Sequence, residues 1–139
     1  MACTFCDIVS GAVPAARVYE DDDHVAFLDA RPLFPGHVLL VPRAHVETLP
    51  DLPPDAVGPF FTRAQELCVA VRDAMDAAGT FVAMNNVVSQ SVPHLHCHIV
   101  PRRFKDGLRG FFWPRTKYAD DAERDAVAAA IRDAQARTA

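Results

Sequence analysis

The sequence predicts an α+β domain built on a mainly antiparallel five-stranded sheet, with one long helix and short helices at the ends. Two observations carry this. Segments rich in β-branched and aromatic residues come in consecutive runs rather than alternating with crossover helices, which is the order of an antiparallel sheet. After the third run stands one long stretch with apolar residues at helical spacing, and an alanine-rich stretch closes the chain.

Taken in order, "FCDIVSG" reads as one or two helical turns closed by Gly11, since glycine enters the left-handed cap conformation without steric cost. "ARVYE" and "HVAFLD" flank the acidic turn "DDD" and form a hairpin. "RPLFPG" is a loop, "HVLLVP" a buried strand ending at Pro42, and "LPDLPP" a break. In the long helix Phe60, Ala64, Leu67, Cys68, Val71 and Met75 share one face that packs on the sheet, and Gly79 ends the element. "TFVAMNN" and "HLHCHIVPR" are the last two strands, and residues 120–136 form the terminal helix.

A chain of 139 residues is the size of one domain, here 1–139. Half of its residues are hydrophobic, 23% are charged and the net charge is −4, which describes a globular protein without a basic nucleic-acid surface. No apolar run approaches the roughly 20 residues that cross a bilayer, and "MACTFCDIVSG" lacks the order of a secretory signal. The expectation is a cytoplasmic protein with neither a membrane nor a nucleic-acid partner. In a reducing compartment Cys3 and Cys6 read as metal ligands rather than a disulfide.

The chemistry concentrates in "QSVPHLHCHIVPRR", which places His94, His96 and His98 at alternating positions. On a strand these share one face, turned to solvent or ligand, while Leu95, Cys97 and Ile99 share the face that meets the helix. The α-carbons of His94 and His98 would lie about 13 Å apart, an awkward span for all three rings to share one ion, so the three are expected to divide the labour. Cys3 and Cys6 form a C-x-x-C half-site for structural zinc that needs two more ligands. His45, after a strand end, and His94, outermost of the three, are both in a position to supply them. A redox pair has the same cysteine spacing, but no thioredoxin-like βαβ pattern surrounds this one. His96 and His98 then remain for a substrate: neutral imidazole is a competent nucleophile toward phosphorus, and Gln90 and Ser91 offer donors for phosphate oxygens.

With these residues in view, "QSVPHLHCHIV" resembles the signature of the histidine triad family, and the segment from Cys3 to Leu52 is similar to that family's N-terminal half nearly position by position. The resemblance covers about residues 3–104, leaving a C-terminal extension, 105–139. It implies a protein that binds a purine nucleotide and cleaves or transfers nucleoside monophosphate, from an adenosine phosphoramidate or a dinucleoside polyphosphate, through a nucleotidyl-histidine. By resemblance His96 is the nucleophile, His98 contacts the phosphate, and His37 supports them. Cys3, Cys6, His45 and His94 hold a structural zinc ion. Asp29 accepts the ribose hydroxyls, Phe27, Leu28 and Leu33 are candidates for the base pocket, Asn85 or Asn86 is the polar residue near the ribose and phosphate, and Gln90 and Ser91 form the phosphate loop. A homodimer joined through the long helix and its adjoining strand is also implied.

The loop "NNVVSQSV" is shorter than the glycine-rich version of many members, and the aromatic, cationic stretch "KDGLRGFFWPRTKY" has no counterpart in the better-known branches. That stretch suits either a loop packing over its own or a neighbouring sheet or a part in leaving-group specificity. A transferase or phosphorylase, a nucleotide sensor without turnover, and a metalloenzyme using two triad histidines are the competing readings.

Overall fold

The computed structural model describes residues 2–108 and 115–138. Residues 109–114, which carry most of the aromatic part of the "KDGLRGFFWPRTKY" stretch, lie outside the described residues. The chain divides into two compact units, 1–106 and 107–139.

In the first unit, helix α1 (Thr4–Ser10) precedes strands β1 (Arg17–Glu20), β2 (His24–Leu28) and β3 (Val38–Pro42). A 3-10 turn (Leu49–Asp51) and helix α2 (Pro54–Ala74) lead to β4 (Gly79–Ala83) and β5 (Cys97–Arg102). The five strands form one sheet in the order β1-β2-β3-β5-β4, antiparallel at every pairing. The predicted hairpin, buried third strand and sheet class are all present.

Alternation along the central strands builds two apolar layers. Ala26, Val38, Leu40, Cys97 and Ile99 face α2 and pack with Phe60, Ala64, Leu67 and Val71. Val25, Phe27, Leu39 and Val41 face the other way, onto Phe5 and Ile8 of α1. Both faces of β2 and β3 are therefore covered, which is why these strands read as nearly continuous apolar runs.

Three expectations are corrected. The long helix ends at Ala74 rather than near Gly79, which instead opens β4. Asp76 takes the left-handed conformation at φ 49, its N–H bonds to the carbonyl of Asp73, and the N–H of Ala77 bonds to that of Arg72. This is a Schellman ending made without glycine. The last strand is shorter than "HLHCHIVPR": ladder pairing begins at Cys97, opposite Leu40. Upstream the Leu95 N–H bonds to Val46 and the His94 N–H to Val92, so bends rather than a strand carry His94 and His96. The histidine face is also more enclosed than a solvent-facing strand allows, because α1 covers it and leaves His94 at 0% and His96 at 4% exposure.

Two glycines work through positive φ. Gly11 (φ 86) caps α1 as predicted. Gly36 (φ 95) turns the chain immediately before His37, where an added Cβ would lie 2.6 Å from Met75 Cγ. In the second unit, helix α3 (Asp121–Thr138) starts where Asp120 accepts the N–H of Glu123 and falls close to the expected residues 120–136. Among the described residues no helix is long and apolar enough to cross a membrane.

Candidate active site and metal centre

The two cysteines come together because α1 begins between them. Cys3 is its N-cap, accepting the backbone N–H of Cys6 at 3.4 Å, so the C-x-x-C spacing becomes one helical turn with both sulfurs at its start. His45 and His94 meet them there. The Sγ atoms of Cys3 and Cys6 each lie 3.5 Å from His94 Nδ1, Cys6 Sγ lies 3.3 Å from His45 Nδ1, and the two Nδ1 atoms are 3.2 Å apart.

A tetrahedral zinc ion with its usual bond lengths would set sulfur–nitrogen edges of about 3.5 Å and nitrogen–nitrogen edges of about 3.3 Å. These four side chains match that figure. His94 Nε2–H donates to the Pro42 carbonyl at 2.8 Å, which leaves Nδ1 with its lone pair toward the sulfurs and fixes the ring's orientation. Burial, then the neighbouring His45 and His96, hold His94 below its ordinary pKa, although the Pro42 bond opposes this. The ligand nitrogen is thus free of a competing proton. Burial foremost, then the hydrogen bond and charge of Cys3 and the charge of Asp7, push the Cys6 thiol up. Four protein ligands leave no open position, so the donor set fits structural zinc.

The second cluster lies on the same face of the sheet. His98 on β5 stands opposite Leu39, and His37 and Asp29 flank the β2–β3 connection, joined by an Asp29 N–H bond to the His37 carbonyl. The Leu33 N–H donates to His37 Nδ1 at 3.1 Å, so His37 carries its proton on Nε2. That Nε2–H donates to His98 Nδ1 at 2.9 Å, with an Asp29 carboxylate oxygen 3.6 Å away. His98 in turn has its proton on Nε2. His96 takes the other tautomer: its Nδ1–H donates to the His94 carbonyl at 2.8 Å, and Nε2 keeps a free lone pair.

Burial, reinforced by His96 and His37 and opposed by Asp29, holds the His98 pKa down to about 4. Burial likewise lowers that of His37 against the pull of Asp29. Both rings are neutral at pH 7.

A cavity of about 520 Å³ opens beside these groups, between α1 and the sheet. Its polar side is Asp29, Ser91, His96 and His98, and its apolar side includes Phe5, Ile8, Pro14, Phe27 and Leu28. This is the size and lining of a small-molecule site with a few convergent polar groups. Phe5, Ile8 and Pro14 were not assigned to a site from sequence. Their signal was the pair of apolar residues on one face of α1, which reads equally as core.

The remaining candidates sit elsewhere. Leu33 is 49% exposed, and its backbone rather than its side chain serves His37. Asn86 accepts the Leu49 N–H, Asn85 donates to the Ser89 carbonyl, and Gln90 bonds the Glu47 carbonyl and the Val87 N–H. These side chains hold the loop that delivers Ser91. In that short loop Val87 and Ser89 take positive φ, the conformation that glycines in longer versions of such a loop adopt freely.

A Cys2His2 centre and a histidine relay therefore share one face of an antiparallel sheet, beside a mixed polar and apolar cavity. The HIT domain model matches residues 10–105, and the chain belongs to the histidine triad (HIT) family. An uncharacterised HIT-like protein of Mycobacterium tuberculosis (strain ATCC 25618 / H37Rv) is 36% identical over 142 residues, covering 99% of this chain and 95% of that protein. Adenosine 5′-monophosphoramidase HNT1 of Saccharomyces cerevisiae is 32% identical over 81% of this chain and 70% of its own length. The crystal structure of a Zn-bound histidine triad family protein from Mycobacterium smegmatis superposes with a TM-score of 0.74 at 37% identity, covering 96% of this chain and 98% of that one.

Proposed function

We propose that this protein is a nucleotide hydrolase that cleaves the α-phosphate bond of nucleoside monophosphate derivatives, an adenosine phosphoramidate or a dinucleoside polyphosphate, through a nucleotidyl intermediate on His96. The observation that carries the reading is the tautomer of His96, whose Nδ1–H is spent on the His94 carbonyl while the ring lines the cavity. Likeness to a monophosphoramidase supports the substrate class.

In this reading the purine lies against the apolar side of the cavity and Asp29 accepts the ribose hydroxyls, as a carboxylate with two acceptor oxygens can. His96 Nε2 attacks the α-phosphorus, forming a nitrogen–phosphorus bond. The leaving group departs with the electron pair of its own bond and takes its proton from solvent. His98, neutral with its proton on Nε2, donates a hydrogen bond to the charge that develops on the phosphoryl oxygens, and His37 holds that tautomer from behind. Water then breaks the nitrogen–phosphorus bond and releases nucleoside monophosphate. Cys3, Cys6, His45 and His94 hold zinc as a structural element that anchors α1 and the segment before His96. Residues 1–139 act as one HIT-like domain with an extension at 105–139, in the cytoplasm, as a homodimer joined through α2 and β4. Exposed Val69 and Val82 on those elements suit that contact.

The test is to convert His96 to Asn and assay the parent and variant on a lysyl adenosine phosphoramidate and on diadenosine polyphosphate, with and without inorganic phosphate. Loss of turnover in the variant and an adenylate-sized mass increment on the quenched parent support the reading. An undiminished rate in the variant removes the covalent role. Phosphate-dependent formation of nucleoside diphosphate makes the protein a phosphorylase.

A further inference from the structure

Phe5 stands between the metal centre and the nucleophile. It lies on α1 between Cys3 and Cys6 and is 7% exposed. Its ring meets His96 edge to face, with centroids 5.0 Å apart at 83°, and also meets His94 at 6.0 Å and Phe27 at 5.4 Å.

We infer that Phe5 is a positioning residue for His96, through which the Cys3, Cys6, His45 and His94 centre sets the orientation of the nucleophile. This rests on the reading of His96 as the nucleophile. The hydrogen bond from His96 Nδ1 to the His94 carbonyl restrains one atom of the ring but not its plane. An aromatic ring packed nearly perpendicular to the imidazole restrains its plane, and edge-to-face geometry is a favoured arrangement for such a pair.

Phe5 can do this only if α1 is itself fixed. A helix of seven residues is marginal in isolation, so its position follows from the packing of Phe5 and Ile8 on the sheet and from what holds its ends. Its start is held by Cys3 and Cys6, which converge on His45 and His94. A second restraint on His96 is the carbonyl of His94, one of those same four residues, and a third is the ring of His98 on β5, whose centroid lies 5.0 Å away at 66°. Two of the three restraints on the nucleophile's ring therefore originate at one centre, and Phe5 is the one of them that acts on the plane of the ring. Phe5 also walls the cavity, so a pure binding role and a positioning role must be separated by experiment.

The test compares the zinc-loaded parent with Phe5→Leu, which keeps an apolar side chain without the aromatic ring, and Phe5→Tyr, which restores the ring. Native mass spectrometry reads zinc per chain, nitrogen NMR of the imidazoles reads the His96 tautomer without substrate, and single-turnover kinetics at saturating substrate read the nucleotidylation step. Phe5→Leu is expected to keep one zinc per chain, mix the His96 tautomers and slow the saturating step about ten-fold, a loss typical of a slightly misplaced reacting group. Phe5→Tyr returns both signals toward the parent. If Phe5→Leu changes KM alone, with the tautomer and the saturating rate as in the parent, Phe5 is only a wall of the pocket and the inference fails. Loss of zinc from Phe5→Leu overturns it as well, since Phe5 would then serve the packing of α1. A parent inactive on every substrate defeats the functional reading, while the NMR arm still decides the role of Phe5.

Discussion

His37 and His98, 61 residues apart in the chain, are joined by a 2.9 Å hydrogen bond from Nε2 of the first to Nδ1 of the second. The bond exists because the Leu33 amide occupies the other nitrogen of His37 and so selects its tautomer. His98 is left with a proton on the nitrogen that does not face His37, aimed for use as a donor.

Replacing His37 with Asn should therefore lower kcat more than it raises KM, since the ring acts behind His98. A loss of about 10- to 100-fold is the scale expected for a partner that orients a reactive group. Steady-state kinetics on a phosphoramidate substrate measure it, and a change confined to KM would contradict the relay.

Stability should fall on mild acidification. His98 has a folded pKa of about 4 against an ordinary 6.5, so between those values the unfolded chain binds more protons than the folded one. Unfolding free energy then rises as pH goes from about 4 to about 6.5 and is lost as pH falls through that window. Urea unfolding at pH 7 and pH 4.5 shows this as a lower midpoint at the acid pH. His98→Gln should flatten the difference.

Zinc should be needed for the fold rather than for an open coordination step. Cys6→Ser is expected to lose the ion in native mass spectrometry and to lower the melting temperature by roughly 10 °C, a few kcal/mol for a domain of this size. Retention of both zinc and thermal stability in this variant would remove Cys6 from the ligand set.

Gly36→Ala should destabilise the protein by about 1–3 kcal/mol, because the new Cβ sits at positive φ and runs into Met75. The flexible end of Met75 can yield in part, but the backbone conformation remains. Since His37 follows directly, turnover should fall alongside the denaturation midpoint.

Asp29→Ala should erase preference for ribose. Equilibrium binding of adenosine monophosphate and its 2′-deoxy counterpart is expected to differ in the parent and to converge in the variant. If the parent already binds both equally, Asp29 does not read the ribose hydroxyls.

Much of this architecture was legible because it is written locally. Aromatic and β-branched runs on either side of an acidic turn marked the β1–β2 hairpin, a continuous apolar run marked β3, helical spacing marked α2, Gly11 marked the end of α1, and the C-x-x-C pair pointed to a metal. The misreadings share a cause: the end of α2 depends on Asp76 adopting a conformation that glycine adopts more readily, and the start of β5 depends on where Leu40 stops pairing. Neither is a property of the segment concerned. Asn86 and Gln90 also bond Leu49, Val87 and Glu47, contacts visible only once the loops meet.

By itself, then, the sequence determined the residue types and their periodicity: an antiparallel sheet, a helix on it, two thiols within reach of one metal ion, and three histidines alternating along one short segment. The tertiary structure decided which nitrogen of each histidine holds the proton. His94 donates its Nε2–H to the Pro42 carbonyl and keeps the Nδ1 lone pair toward the thiols, His96 donates its Nδ1–H to the His94 carbonyl and keeps the Nε2 lone pair, and Leu33 and His37 together leave His98 a donor. An imidazole's role depends on which nitrogen holds the proton, and that is settled by hydrogen-bond partners brought from distant parts of the chain.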